Sequence, residues 1–387
     1  MMFIPKTRRL LFAAAALITL NKPAMAATPP DDNLKPAYIM EVMHRVADWQ
    51  LNAWSTNGFN HPEVDWTNAA CYTGIYALGN MPGNEKYLKP MVKIGEDLKW
   101  NTGKRRFMAD DYCIGQLYAQ LYMNYKDAKM IAAWKTQADS IIAKPHNESL
   151  EWKNGIANRE WAWCDALFMG PTALAYLSKA TGDTKYLDCA TKLWWKTTDY
   201  LYNPAEQLYF RDQSFFGKKE QNGKPVFWSR GNGWVLAGLV RVMENMPANY
   251  PDRTRFEELY KNMAAKVASL QQPDGSWHAS LLDPGSYDIK ETSGTGFYCY
   301  ALLWGMNHKL LDDKKYWPVV KKAWSALTSS VHADGMLGNV QPIGASPDKV
   351  TDGSTEVYGP GAFLLAGVQL HEYVTAHPQV YRTKHQK

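Results

Sequence analysis

Two kinds of segment alternate along this chain. Six are apolar nearly all round and rich in small residues. They begin near Trp66, Asp110, Asp165, Arg230, Thr292 and Tyr358, and each opens on polar or glycine residues, as in Tyr358-Gly359-Pro360-Gly361-Ala362-Phe363. A helix buried on every side reads this way. Between them lie six amphipathic segments, over residues 37–51, 85–100, 127–142, 184–201, 252–270 and 314–329. There, charged and apolar positions alternate with helical period. The buried segments recur every 44 to 66 residues, the range of long helical repeats with variable loops.

The alternation predicts an all-α protein: a closed (α/α)6 barrel, or toroid, of six inner and six outer helices. Strand signals are short, and 227–228, 275–281 and 335–340 read as small loop hairpins. No Pro-, Gly- or Ser-rich linker divides the chain, so one domain is expected over 27–387. If the inner helices run in one direction, their N-termini open on one face. Trp66, Asn68, Asp110, Asp111, Trp163, Asp165, Arg230, Gly231, Thr292, Ser293 and Tyr358 would then line one bowl, and the helix dipoles there favour anions.

Charge narrows the partner. Residues 1–26 read as a secretory signal peptide. Lys6, Arg8 and Arg9 precede an apolar run at 10–20, and Ala24-Met25-Ala26 is a small-x-small cleavage site. Removing this leader takes four basic residues and no acids, which lowers the formal charge from +5 to +1. The expected location is periplasmic, with no membrane anchor left after cleavage. No basic run remains to argue for nucleic acid. An anionic ligand must therefore be met by local positive charge. The five cysteines are odd in number and match no zinc pattern, so they read as buried small residues, one periplasmic disulfide remaining open. A monomer is expected.

The chemistry gathers at the helix mouths. Trp228-Ser229-Arg230-Gly231-Asn232-Gly233-Trp234 sets an arginine, two glycines and two indoles at the start of an apolar helix. Unpaired N–H groups and a cationic fork suit a carboxylate, glycine lets a ligand approach, and tryptophan is a flat platform for a sugar ring. Asp165 follows Glu160-Trp161-Ala162-Trp163-Cys164. An aspartate at a helix start is commonly an N-cap. Beside indoles in a partly dry pocket its pKa rises instead, as a general acid requires. Asp110-Asp111 opens the preceding inner segment, and either residue can cap while the other faces the bowl. Paired carboxylates are the usual equipment for glycoside cleavage. His278 and Arg211 are further candidates for substrate contact. A solvated loop histidine and an Arg211–Asp212 ion pair are the plainer readings. Trp66 completes the expected wall. Glu291 and Glu356 are weaker carboxylate candidates. No phosphate loop, dinucleotide fingerprint, His-Glu-x-x-His or Gly-x-Ser-x-Gly motif is present, so neither cofactor nor metal is expected.

Several blocks carry a resemblance. Trp163-Cys164-Asp165 runs on into Leu167-Phe168-Met169-Gly170-Pro171, and the arginine–glycine–x–glycine–tryptophan block follows at 230–234. Pro273-Asp274-Gly275-Ser276-Trp277-His278, Glu291-Thr292-Ser293-Gly294 and the 359–366 block come in the same order. The chain resembles glycoside hydrolase family 105, the unsaturated rhamnogalacturonyl hydrolases, whose wider clan includes the unsaturated glucuronyl hydrolases of family 88. The resemblance implies an (α/α)6 barrel acting on lyase-generated oligosaccharides that end in a 4,5-unsaturated uronic acid. It implies that Asp165 protonates C4 and then deprotonates the water adding at C5. Asp110 or Asp111 would be the second carboxylate. Arg230 and the Gly231 backbone would hold the uronate, and Trp163, Trp228 and Trp234 would wall the pocket. Where many members of that family carry a histidine, this chain has Phe210-Arg211-Asp212. That leaves the second sugar open between rhamnose and a sulfated or acidic one. The alternatives are an ordinary (α/α)6 glycosidase or polysaccharide lyase, and a non-catalytic glycan-binding protein.

Overall fold

A computed structural model describes residues 32–381. The leader expected at 1–26 lies outside the described residues. Twelve α-helices follow one another: α1 (Pro36–Asn57), α2 (Trp66–Gly79), α3 (Leu88–Asp97), α4 (Gly115–Tyr125), α5 (Lys129–Ala143), α6 (Ala166–Thr181), α7 (Lys185–Leu201), α8 (Ser229–Met243), α9 (Arg253–Ser269), α10 (Thr292–Asn307), α11 (Asp313–Thr328) and α12 (Tyr358–Ala376). The even-numbered helices pack in sequence, α2 on α4, α4 on α6, and so on to α12, which returns to α2. The odd-numbered helices lie outside them, each against an inner neighbour. This is the expected closed ring. Among the described residues no helix is long and apolar enough to cross a membrane.

Local chemistry accounts for these elements. Asp65 accepts the Thr67 N–H and starts α2, Asp312 accepts the Lys314 N–H and starts α11, and Gly182, at φ 76°, ends α6. Every residue of α8 is buried, as its all-round apolar sequence requires. Outer helix α7 buries one face through Tyr186, Leu187, Ala190, Leu193, Trp194 and Leu201. Glycines set the spacing of the inner ring. A methyl on Gly361 of α12 would lie 2.5 Å from the Ala70 carbonyl oxygen of α2, and one on Gly238 of α8 would lie 2.5 Å from the Leu167 oxygen of α6. Pro171, four residues on from Leu167, has no N–H for that carbonyl, and α8 packs over it.

The one departure among the inner segments is at Asp110. It sits in a 3₁₀ turn, Ala109–Tyr112, and α4 begins only at Gly115. The strands are two-residue pairs, β1 (Tyr202–Asn203) with β2 (Leu208–Tyr209) and β3 (Trp277–His278) with β4 (Lys290–Glu291). The hairpins expected at 227–228 and 335–340 shrink to the isolated bridges Trp228–Ser280 and Val331–Leu337. All five cysteines are free thiols, and all but Cys189 are buried.

Candidate active site

The shared direction of the inner helices gathers the mouths of α2, α6 and α8, with the 3₁₀ turn before α4, around one cavity of about 190 Å³. Four indoles wall it: Trp66, Trp163, Trp228 and Trp234. Two carboxylates, Asp110 and Asp165, and one guanidinium, Arg211, face into it; Met169, Ile343 and Gly344 complete the lining. Trp66 stacks on Tyr358 at 5.6 Å between ring centroids, and Trp234 sits edge-on to both, so the aromatic wall is braced from behind.

Asp165 precedes α6 but does not cap it. Its backbone is already helical and its side chain accepts no backbone N–H. The carboxyl is 8 % exposed, with Cys164 Sγ 3.6 Å from one oxygen and Arg211 Nε 3.6 Å from the other. It also faces the start of α8, whose first turn has no side-chain cap. Gly231 permits that approach, since a methyl there would lie 2.9 Å from Trp228, 3.1 Å from Cys164 Sγ and 3.4 Å from Asp165 Oδ1. Burial pushes the Asp165 carboxyl above its ordinary range, while the charges of Arg211 and Arg230 pull it back. An acid caught between opposing terms is poised to give and take a proton.

The two neighbouring aspartates separate cleanly. Asp110 lines the cavity, and burial, then the nearby Asp165 charge, push its pKa up to about 7. Asp111 is turned away. Its carboxylate accepts the Arg105 N–H at 2.6 Å, Nε at 2.8 Å and Nη2 at 2.5 Å, folding the 103–111 loop onto itself. Of the two, Asp110 lines the cavity, and Asp111 lies outside that lining because its lone pairs serve Arg105.

Arg230 differs from the expectation of a guanidinium free for a ligand. It is fully buried, sandwiched between the Trp228 and Tyr358 rings at 4.5 and 4.8 Å. Nη1 donates to the Gln341 carbonyl and Nη2 to that of Pro342. Its charge still reaches Asp165, but its two terminal nitrogens hold the loop that lines the cavity, while its Nε is buried without a partner. Gln341 is tied at every polar group. Its N–H meets Glu291, its carbonyl also accepts from Tyr358, its side-chain oxygen accepts from Trp228 Nε1, and its amide donates to Ser346. Ile343 and Gly344 project from this anchor over the pocket. Sequence reasoning missed all three. Their place depends on partners 50 to 113 residues away, and no local pattern signals that. Met169, four residues after Asp165 on one helical face, was within reach of spacing alone.

The other candidates fall outside the lining. His278 turns its ring to the Pro284 carbonyl and to Asp274; burial lowers its pKa, but these contacts outweigh it and raise the pKa overall. Glu291 caps α10, accepting the Ser293 and Gly294 N–H groups. Glu356 pairs with His61. Among the described residues no group of three or more His, Cys, Asp or Glu could hold a metal ion.

Comparison with known proteins places this geometry. The model of Glycosyl Hydrolase Family 88 matches residues 42–374. The chain is 41 % identical over 354 residues to an unsaturated 3S-rhamnoglycuronyl hydrolase of Formosa agariphila, covering 83 % of this chain and 93 % of that one. It is 38 % identical over 318 residues to a protein of the same description from an Alteromonas species, covering 79 % and 77 %. A Family 88 structure from Bacteroides vulgatus superposes with a TM-score of 0.78 at 29 % identity, over 87 % of this chain and 99 % of that one. A structure described as a polysaccharide lyase superposes with a TM-score of 0.79 at 31 % identity, over 88 % and 98 %. With a ring of twelve helices among the described residues and a tryptophan-walled pocket of carboxylates, the chain belongs to Glycosyl Hydrolase Family 88 and is a glycoside hydrolase.

Proposed function

We propose that this hydrolase removes a 4,5-unsaturated uronic acid from the non-reducing end of lyase-generated oligosaccharides, by hydrating the C4=C5 vinyl ether. The observation that carries the reading is Asp165: an uncapped, buried carboxyl aimed into a small pocket between an arginine and four indoles. A cavity of about 190 Å³ suits one terminal sugar ring and not the long cleft of an endo-acting enzyme.

The steps balance with this one acid. Asp165 gives its proton to C4, and water adds at C5. The Asp165 carboxylate takes a proton from that water, and the resulting hemiketal opens to release the next sugar. Asp110, whose pKa burial raises to about 7, orients the ring by hydrogen bonding. Positioning and preorganised charge supply most of the acceleration. The names of the Formosa and Alteromonas relatives support a glycuronyl unit followed by rhamnose. The leader expected at 1–26 supports a periplasmic site of action.

The test uses unsaturated disaccharides made by a lyase, followed through the ultraviolet absorbance of the conjugated acid. The absorbance should fall with the native enzyme. Asp165→Asn should lower kcat by about a thousandfold or more while dissociation constants stay within a few-fold, as for loss of a group acting in the transition state. Rising absorbance on the parent polysaccharide would make the protein a lyase, as one structural neighbour is described. Full activity in Asp165→Asn would remove that residue from the mechanism.

A further inference from the structure

Arg211 lies in the loop after β2, and its guanidinium is the cation in the cavity wall. Nη1 is 2.6 Å from Asp212 Oδ2, and Cζ lies 4.7 Å over the Trp152 ring. Asp212, 1 % exposed, spends its other oxygen on the Ser214 N–H. Arg211 Nε is buried without a hydrogen-bond partner, and at 3.6 Å from Asp165 Oδ2 it feels that carboxylate without bonding to it. The backbone fixes this separation. Cys164 N–H donates to the Arg211 carbonyl, and Trp163 bridges Asp212, so acid and guanidinium ride on one short ladder. Asp212 alone cannot satisfy a fork of five N–H donors.

The geometry points to Arg211 as the seat of the substrate carboxylate, and to its occupation as the event that loads Asp165 with its proton. This rests on the reading of the pocket given above. In the empty site the Arg211 charge is shared between Asp212 and Asp165. A uronate carboxylate taking the free edge of the guanidinium neutralises the charge that Asp165 feels, and Asp165 then takes up one proton from solvent. The other groups facing Asp165 push in both directions. Asp212 is negative and favours the proton, and Asp110, from the turn before α4, adds to this only in so far as it is ionised. Arg230, from α8, opposes it but is committed to the Gln341 and Pro342 carbonyls. Cys164 is a neutral buried thiol. The substrate thereby arms the acid that attacks it.

Calorimetric binding of a saturated uronyl disaccharide, which has the carboxylate and no double bond to hydrate, tests this in two buffers of different ionisation enthalpy. Native enzyme should take up a substantial fraction of a proton per ligand near neutral pH, and none with the methyl ester. Arg211→Gln should abolish the uptake and weaken the acid about tenfold to a hundredfold more than the ester, the scale of a lost hydrogen bond to a charged group. Asp165→Asn should abolish the uptake while still preferring acid over ester. Arg211→Lys, which keeps the charge and the Asp212 pair, should retain part of the uptake if the variant ring is folded. No uptake by native enzyme, unchanged uptake in Arg211→Gln, or equal losses for acid and ester would each overturn the inference. Native consumption of the unsaturated disaccharide is measured on the same preparation. Consumption without uptake defeats only the role of Arg211, whereas absence of consumption defeats the proposed reaction.

Discussion

Replacing Glu291 by glutamine would remove no atom's worth of volume, yet it should both destabilise the barrel and blunt the pocket. The carboxylate is fully buried and accepts four donors: Ser293 N–H at 3.0 Å, Ser293 Oγ at 2.5 Å, Gly294 N–H at 2.7 Å and Gln341 N–H at 3.1 Å. Glutamine keeps one acceptor oxygen and sets two N–H donors where the other was. The least costly orientation turns the amide nitrogen toward Gly294, which loses one charge-assisted bond worth about 1.5–3 kcal/mol. The surviving bonds become neutral and weaken by roughly half. Together these sum to about 4–7 kcal/mol, a large part of the roughly 5–15 kcal/mol that holds a domain. Urea unfolding should show a lower midpoint with an unchanged slope. Because Gln341 anchors the Ile343–Gly344 roof, KM should rise more than kcat falls. An unfolding free energy within about 0.5 kcal/mol of native would refute the four-acceptor account, given the usual scatter of neutral surface changes. A collapse of kcat at full stability would mean that Glu291 acts in the chemistry itself.

Two further outcomes follow from the same coordinates. Gly361→Ala would place a methyl 2.5 Å from the Ala70 oxygen and 2.8 Å from the Cys71 Cα, both backbone, so α12 and α2 must part where the ring closes. The overpacking cost of about 1–3 kcal/mol outweighs a helix-propensity gain of about 1 kcal/mol, and thermal melts should fall; a rise would show that the closure is slack. The Asp110 pKa, raised by burial to about 7, means that its ionisation taxes the folded state progressively as pH climbs from its unfolded value near 4 to about 7. It also sets the alkaline limb of kcat/KM near 7. Asp110→Asn removes the group to which that limb is assigned and should abolish it; a limb that stays near 7 would show that another group sets it.

Much of this site was legible because it is written in local pattern. The all-round apolar runs fixed the six inner helices, and five of the six expected starts fall within one residue of the observed ones, at Trp66, Ala166, Ser229, Thr292 and Tyr358. Helical direction then implied that their mouths share a face, which brought Trp66, Trp163 and Asp165 together from sequence. The sequence alone could not apportion partners. Whether Asp110 or Asp111 meets the cavity was decided by Arg105, whose fork captures the second. That Arg211 and not Arg230 lines the cavity was decided by the carbonyls of Gln341 and Pro342, 111 and 112 residues further along from Arg230. Periodicity records which side of a helix is buried, because that depends on neighbours three and four residues away. It carries no record of which distant lone pair a buried donor finds, and that pairing is what separates a guanidinium that builds this pocket from one that works in it.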